Sequence, residues 1–111
     1  MNENINLIQD VTEVYNNLMT ALNEYPKRGK EYAEAHRRYR TVLRQEILIE
    51  RNKGTPVTII NDICRGQENV AILCEKRDIA EALYKSAQEA INVYKLRLRI
   101  VNDEVNREYH S

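Results

Sequence analysis

From residue 67 to residue 109 the chain runs without a glycine or a proline. Along that run Val70, Leu73, Arg77, Ala80, Tyr84, Ala87, Ile91, Tyr94, Leu98, Val101 and Val105 recur at alternating spacings of three and four. That period is the stripe of one helix face. At 1.5 Å per residue, such a helix is about 65 Å long. A chain of 111 residues cannot wrap a globule around a rod of that length. The rod must be covered along its side by other helices. The expectation is an all-α fold: an elongated antiparallel helical hairpin, or three-helix coiled-coil-like bundle, with a short helix at the hairpin tip.

The remaining segments supply the covering helices. Residues 3–24 carry Ile8, Val11, Tyr15, Leu18, Leu22 and Tyr25 on a heptad-like seam. Pro26 is expected to end that helix, because the residue before a proline is pushed out of α geometry. Residues 27–53 place Tyr32, His36, Tyr39, Leu43 and Ile47 on one face of a second helix. Asn52-Lys53-Gly54 is a stop signal, with glycine as the left-handed cap. Thr55 as N-cap and Pro56 at the first helical position start a short apolar helix over 56–64, ended by Gly66. Val, Thr and Ile there also suit a strand, but a lone strand has nothing to pair with. The whole reads as one domain, 1–111.

With no Phe or Trp and 7 Tyr, the large core pieces are Leu, Ile, Val and Tyr, which suit thin helix–helix seams. The two cysteines, Cys64 and Cys74, without clustered histidines, are too few for a structural zinc site, so no metal and no cofactor is expected. Free thiols, an acidic start without a signal-like apolar stretch, and no apolar run of membrane-spanning length lead to the expectation of a soluble protein in the cytoplasm of whichever cell makes it.

Net charge is zero but unevenly spread: residues 1–25 carry four acids and no base, and residues 26–53 carry nine basic and four acidic residues. Lys30, Arg37, Arg44 and Arg51 repeat every seven residues, with Arg40 beside them, so they share one helix face. A row of cations with an interleaved aromatic is what a phosphate backbone with stacking bases requires. Arg37, Arg40, Arg44, Arg51 and Tyr39 are therefore candidates for nucleic-acid or phosphate binding. The bland alternative is a solvated face.

Arg77 is the one charge in an otherwise apolar seam. A buried guanidinium needs a partner, and reflecting the hairpin about a tip near residue 60 places Glu46 opposite it. The alternative is that Arg77 lines a pocket for an anionic ligand, with Thr55, Thr58, Arg65, Tyr84 and Lys85. The same reflection leaves the long helix overhanging its partner beyond Tyr94, so Tyr94, Leu98, Val101 and Val105 are expected to form an oligomer seam unless the first helix folds back over them. No nucleophile, base or acid pair forms a catalytic set, and an enzyme is not expected.

Two stretches carry a resemblance. "RGKEYAEAHRRYRTVLRQEILIERNKG" followed by "TPVTIINDICRGQENVAILCEKRDIAEALYKSAQEAINVYKLRLRIVNDEVNREY" resembles a family of small helical proteins from phages and prophages of Gram-positive bacteria, over about residues 30–109. The G-T-P-V-T segment, the C-R-G turn and the R-D-I-A-E run are its most specific parts. At the level of pattern, a basic helix, a glycine-containing turn, a short segment and a long helix are similar to phage recombination mediators of the UvsY type. That similarity implies an oligomer that binds single-stranded DNA and helps load a recombinase, with Arg44 of "VLRQEIL" at a DNA-contacting position. Glu46 stands where a second basic residue is expected.

The functional expectation is accordingly a homo-oligomeric phage accessory protein that binds single-stranded DNA or a recombination or replication partner. A counter-defence protein that sequesters a nucleotide signal or blocks a host immune protein is the second reading. A purely structural coiled-coil adaptor is the third.

Overall fold

The computed structural model describes residues 2–110, with side-chain burial from 6 to 109. Three α-helices account for nearly all of it: α1 (Asn2–Asn52), α2 (Val57–Arg65) and α3 (Glu68–His110). No strand occurs among the described residues. The expected fold class is what is found, and both the short tip helix and the long helix fall within a residue or so of their expected bounds.

One boundary is corrected. Pro26 does not end a helix; it lies inside α1, which is 51 residues long. Proline lacks the N–H that an interior position donates, and its ring crowds the carbonyl four residues back, a cost of about 3 kcal/mol. That cost is offset by side-chain burial on both sides. Residues 14, 18, 21, 25, 28, 32, 35 and 39, at spacings of three and four, are all buried or half-buried. The stripe keeps its phase straight through the proline, so breaking the helix there would throw one half of it out of register.

By packing, the chain divides into two units. In the unit formed by α1 up to Lys27 and α3 from Lys85, the core is Leu18, Ala21 and Ile91, with Tyr25, Ala90, Tyr94 and Leu98 packed against it. The expected seam on α1 is half right: Val11, Leu18 and Tyr25 are buried or half-buried, but Ile8, Tyr15 and Leu22 are 53%, 51% and 40% exposed, and Val14 and Ala21 take their places. The expectation weighted large side chains, whereas the continuous helix fixes the phase and small Ala21 lets the helices approach. Tyr94 and Leu98, expected to await another subunit, are covered within the chain. The expected overhang required a short second helix, and α1 is instead longer than α3. Val101 and Val105 are half-buried.

In the other unit, residues 28–84, all three helices meet. Tyr39 and Leu43 of α1, Ile60 and Cys64 of α2 and Val70 of α3 form the core, with Val42, Ile47, Leu73 and Cys74 packed against it. The α1 end is a six-to-one, five-to-two capped turn: Thr55 N–H donates to the Glu50 carbonyl at 3.2 Å and Gly54 N–H to the Arg51 carbonyl at 3.0 Å. Gly54 takes φ +84°, the left-handed cap that the sequence predicts. Lower in the same unit, Gly29 lets the Tyr84 ring lie against α1: a Cβ there would stand 3.0 Å from Tyr84 Cε1.

The continuity of α1 is directly testable. Pro26→Ala restores an interior donor and a strong helix former, worth up to about 3 kcal/mol, against about 0.4–1 kcal/mol forfeited because the unfolded chain becomes freer. Thermal or urea unfolding is therefore expected to show the variant stabilised by about 2 kcal/mol. An unchanged or lowered midpoint contradicts an interior proline.

Candidate functional site

The candidate site lies in the 28–84 unit, where α2 crosses beside the last turns of α1. Ile60 and Cys64 are 3% and 0% exposed and fix the roll of α2. The residues that follow each of them, Asn61 and Arg65, then project from the adjacent flank. Arg40, Arg44 and Arg51 share one exposed face of α1. Between the two helices is a cleft of about 550 Å³, walled by Arg40, Arg44 and Arg51 from one side and Arg65 from the other. Leu43, Ile47 and Leu48 add apolar surface to its lining, and Thr41 and Asn61 add polar groups.

No carboxylate lines this cleft. Among the described residues Arg40, Arg44, Arg51 and Arg65 make no ion pair, although Arg28, Lys53 and Arg77 nearby in sequence do. Four arginines lining one concave space without a balancing acid give it a positive potential, the arrangement that draws anions from solution. Arginine also offers a fixed fork of donors that matches phosphate oxygens.

Of the expected basic row, then, Arg40, Arg44 and Arg51 are brought together, and Arg65 from the expected pocket joins them. Arg37 is exposed on α1 but borders a separate shallow depression with Arg38, Thr41 and Val42. Tyr39 is corrected: it is 4% exposed, and the Arg77 guanidinium carbon sits 4.5 Å from its ring centroid. Its face is already occupied, so it cannot stack on a base.

The expected Glu46–Arg77 pair is not made. Arg77 donates from Nε and a terminal nitrogen to Asp78 Oδ1 at 3.1 and 2.9 Å, and from the latter nitrogen to Cys74 Sγ at 3.5 Å. The hydrogen bond to Asp78 raises the Arg77 pKa above its ordinary value, against the opposing effect of burial. Glu46 instead accepts from Asn69 Nδ2 at 3.2 Å. Asn69, the residue that meets Glu46, lies eight residues of α3 before Arg77, about two helical turns. The reflection treats the tip as a symmetric loop, whereas α2 covers the end of α1 and α3 starts beside an earlier turn.

The expected ligand pocket is likewise dispersed. Tyr84 packs on Gly29 and stands 6.1 Å, ring to ring, from Tyr32. Thr58 is exposed and does not line the cleft, and Lys85 belongs to the other unit. Thr55 is not the helix cap: the residue before α2 is Pro56, with no side-chain capping bond. The Thr55 hydroxyl donates instead to Glu50 Oε2 at 2.7 Å.

Glu50 is the residue that sequence reading misses. It is 8% exposed, accepts from Thr55 and from Lys53 Nζ at 3.5 Å, and so ties the start of the α2 segment back to the last turn of α1. The only sequence signal is the five-residue step from Glu50 to Thr55 across a capping glycine. The Thr55 hydroxyl, followed by Lys53, holds the Glu50 carboxyl below its ordinary value, while burial works in the opposite sense. Burial also pushes the Cys64 thiol up, with Glu50 and Glu46 adding to it.

Comparison of the chain with known protein families, with characterised proteins and with solved structures finds no match.

The Glu50 link has a pH signature. Its folded pKa lies below the unfolded one, so its contribution is complete above the ordinary glutamate value near 4.3 and is lost as pH falls through the lower folded value. Thr55→Val removes the main cause of the shift. Urea midpoints measured between about pH 6 and pH 3 are expected to fall less steeply with acid in the variant than in the natural chain. Equal slopes would exclude the link.

Proposed function

We propose that this chain is a non-enzymatic helical protein that binds single-stranded nucleic acid through Arg40, Arg44, Arg51 and Arg65, with Arg37 extending the row along α1. One observation carries the reading: four arginines line one cleft with no carboxylate among its walls. A merely solvated helix face has its charges interleaved with partners at i, i+4. From Arg37 to Arg51 the row covers about 21 Å of helix axis, which accommodates several consecutive phosphates.

Stacking, which Tyr39 cannot supply, falls to the guanidinium planes themselves, since arginine stacks on base faces as well as pairing with phosphate. The resemblance of residues 30–109 to small phage and prophage proteins supports a role as an accessory to phage recombination or replication. Assembly into a homo-oligomer belongs to the same reading, and the exposed apolar residues of α1, Ile8, Tyr15, Met19 and Leu22, are available for it. A purely structural role is what remains if no nucleic acid binds.

Fluorescence anisotropy with a labelled single-stranded oligonucleotide over a range of salt tests the proposal. The logarithm of the binding constant is expected to fall linearly with that of salt concentration, as displaced counterions require. Arg40→Ala with Arg44→Ala is expected to weaken binding and flatten the slope by about 0.7 for each phosphate that is no longer neutralised. Both side chains are exposed and unpaired, so helicity by circular dichroism is expected to be unchanged. Salt-independent binding, or a double variant that binds like the natural chain, overturns the proposal.

A further inference from the structure

The cleft is more than the widest part of a basic row. A surface that only neutralises phosphates needs cations and nothing else. This one also has apolar side chains, Leu43, Ile47 and Leu48, and two uncharged polar groups, Thr41 and Asn61, in its lining. Phosphate gains nothing from an aliphatic lining. A nucleobase does, because its flat faces bury against aliphatic carbon and stack beneath guanidinium planes. A carboxamide such as that of Asn61 offers a donor and an acceptor together, the combination that reads a base edge. The volume, about 550 Å³, lies inside the range of roughly 300–1,000 Å³ found for small-molecule sites.

An acidic peptide is the competing occupant, since carboxylates also pair with arginine. Charge density favours phosphate. A free nucleotide's phosphate monoester carries about −1.5 to −2 on one group, and a strand brings its charges at regular short spacing, whereas each carboxylate brings a single charge and four cations would require several side chains in one small space.

We propose that the cleft between α1 and α2 is a socket for a single nucleotide, its phosphate between Arg65 of α2 and the facing arginines of α1 and its base against the apolar side chains of the lining, within reach of Asn61. This rests on the reading of the arginines as phosphate ligands, but not on the ligand being a polymer. The nucleotide is either a free molecule or one residue of a strand whose base drops into the cleft. Arg65 and Asn61 are the residues that distinguish the socket from the row, because both come from α2.

The test is calorimetric titration of the natural chain, Arg65→Ala and Asn61→Ala with the four nucleoside 5′-monophosphates, with inorganic phosphate and with a short oligodeoxynucleotide. A saturable site is expected that prefers at least one nucleoside monophosphate to inorganic phosphate by about tenfold or more. Arg65→Ala is expected to weaken that site by about tenfold or more, the loss of one charge-assisted hydrogen bond. Asn61→Ala is expected to narrow the differences among the four bases while leaving their mean affinity nearly in place. Competition by the oligonucleotide against a bound monophosphate identifies the strand as the source; its failure to compete identifies the free nucleotide and overturns the polymer reading alone. Inorganic phosphate binding as tightly as every nucleotide, polyglutamate displacing them equally well, or Arg65→Ala without effect overturns the socket. If the oligonucleotide binds with a salt slope but monophosphates do not, the arginine row stands and the socket falls.

Discussion

The candidate site depends on how α2 is seated. Its nine residues are too few to hold a helix together unaided, since isolated helices shorter than about 12–15 residues are marginal in water. What holds it is the insertion of Ile60 and Cys64 between Tyr39, Leu43 and Val70. Burying an isoleucine side chain is worth about 1.5–3 kcal/mol, and Cys64 and Val70 have no exposed surface at all. Because two side chains a turn apart are fixed, the roll of the helix is fixed, and with it the direction of Asn61 and Arg65. The capped turn at Gly54 and the bond from Thr55 to Glu50 set the point from which α2 starts. Together these constraints bring a cation 14 residues beyond Arg51 in sequence to the opposite wall of the same cleft.

The Arg77–Tyr39 stack illustrates a different use of arginine. Here the guanidinium lies over an aromatic ring and is tied by two bonds to its neighbour Asp78. It seals the edge of the core next to Cys74 rather than opening a pocket. Two populations of arginine thus share one small unit, one neutralised and packed, the other left without acids. The difference between them marks a site better than the number of basic residues in the chain, whose total charge is zero.

How much of this is readable in the sequence differs by element. The helix α3 is legible because its period persists for five heptads, from Val70 to Val105, without a breaker. Gly54 is legible because only a left-handed cap calls for glycine there. The continuity of α1 is not, because the local rule for Pro26 is correct as a cost and is outweighed by burial that depends on α3. The choice of Val14 and Ala21 over Tyr15 and Leu22 is hidden for the same reason: a stripe of large residues and the stripe that packs are adjacent on one helix. At the site, the period-seven arginines are visible, while Arg65 joins them only through the fold. The partners of Arg77 and Glu46 depend on hairpin register, which one residue of asymmetry at a tip displaces and a nine-residue helix displaces by turns.

Pro26 also bears on how cooperative the chain is. An interior proline leaves one carbonyl of α1 without its helical donor, and the division between the two packed units falls within two residues of it. Each unit has its own cluster of buried side chains, and helical order is weakest in coupling where a bond is missing. The unit that holds Leu18, Ala21 and Ile91 is therefore expected to open and close as a foldon of its own, exposing amides to exchange while Tyr39, Cys64 and Val70 stay dry. Loss of structure in that unit is then expected to leave the geometry of the arginines in place.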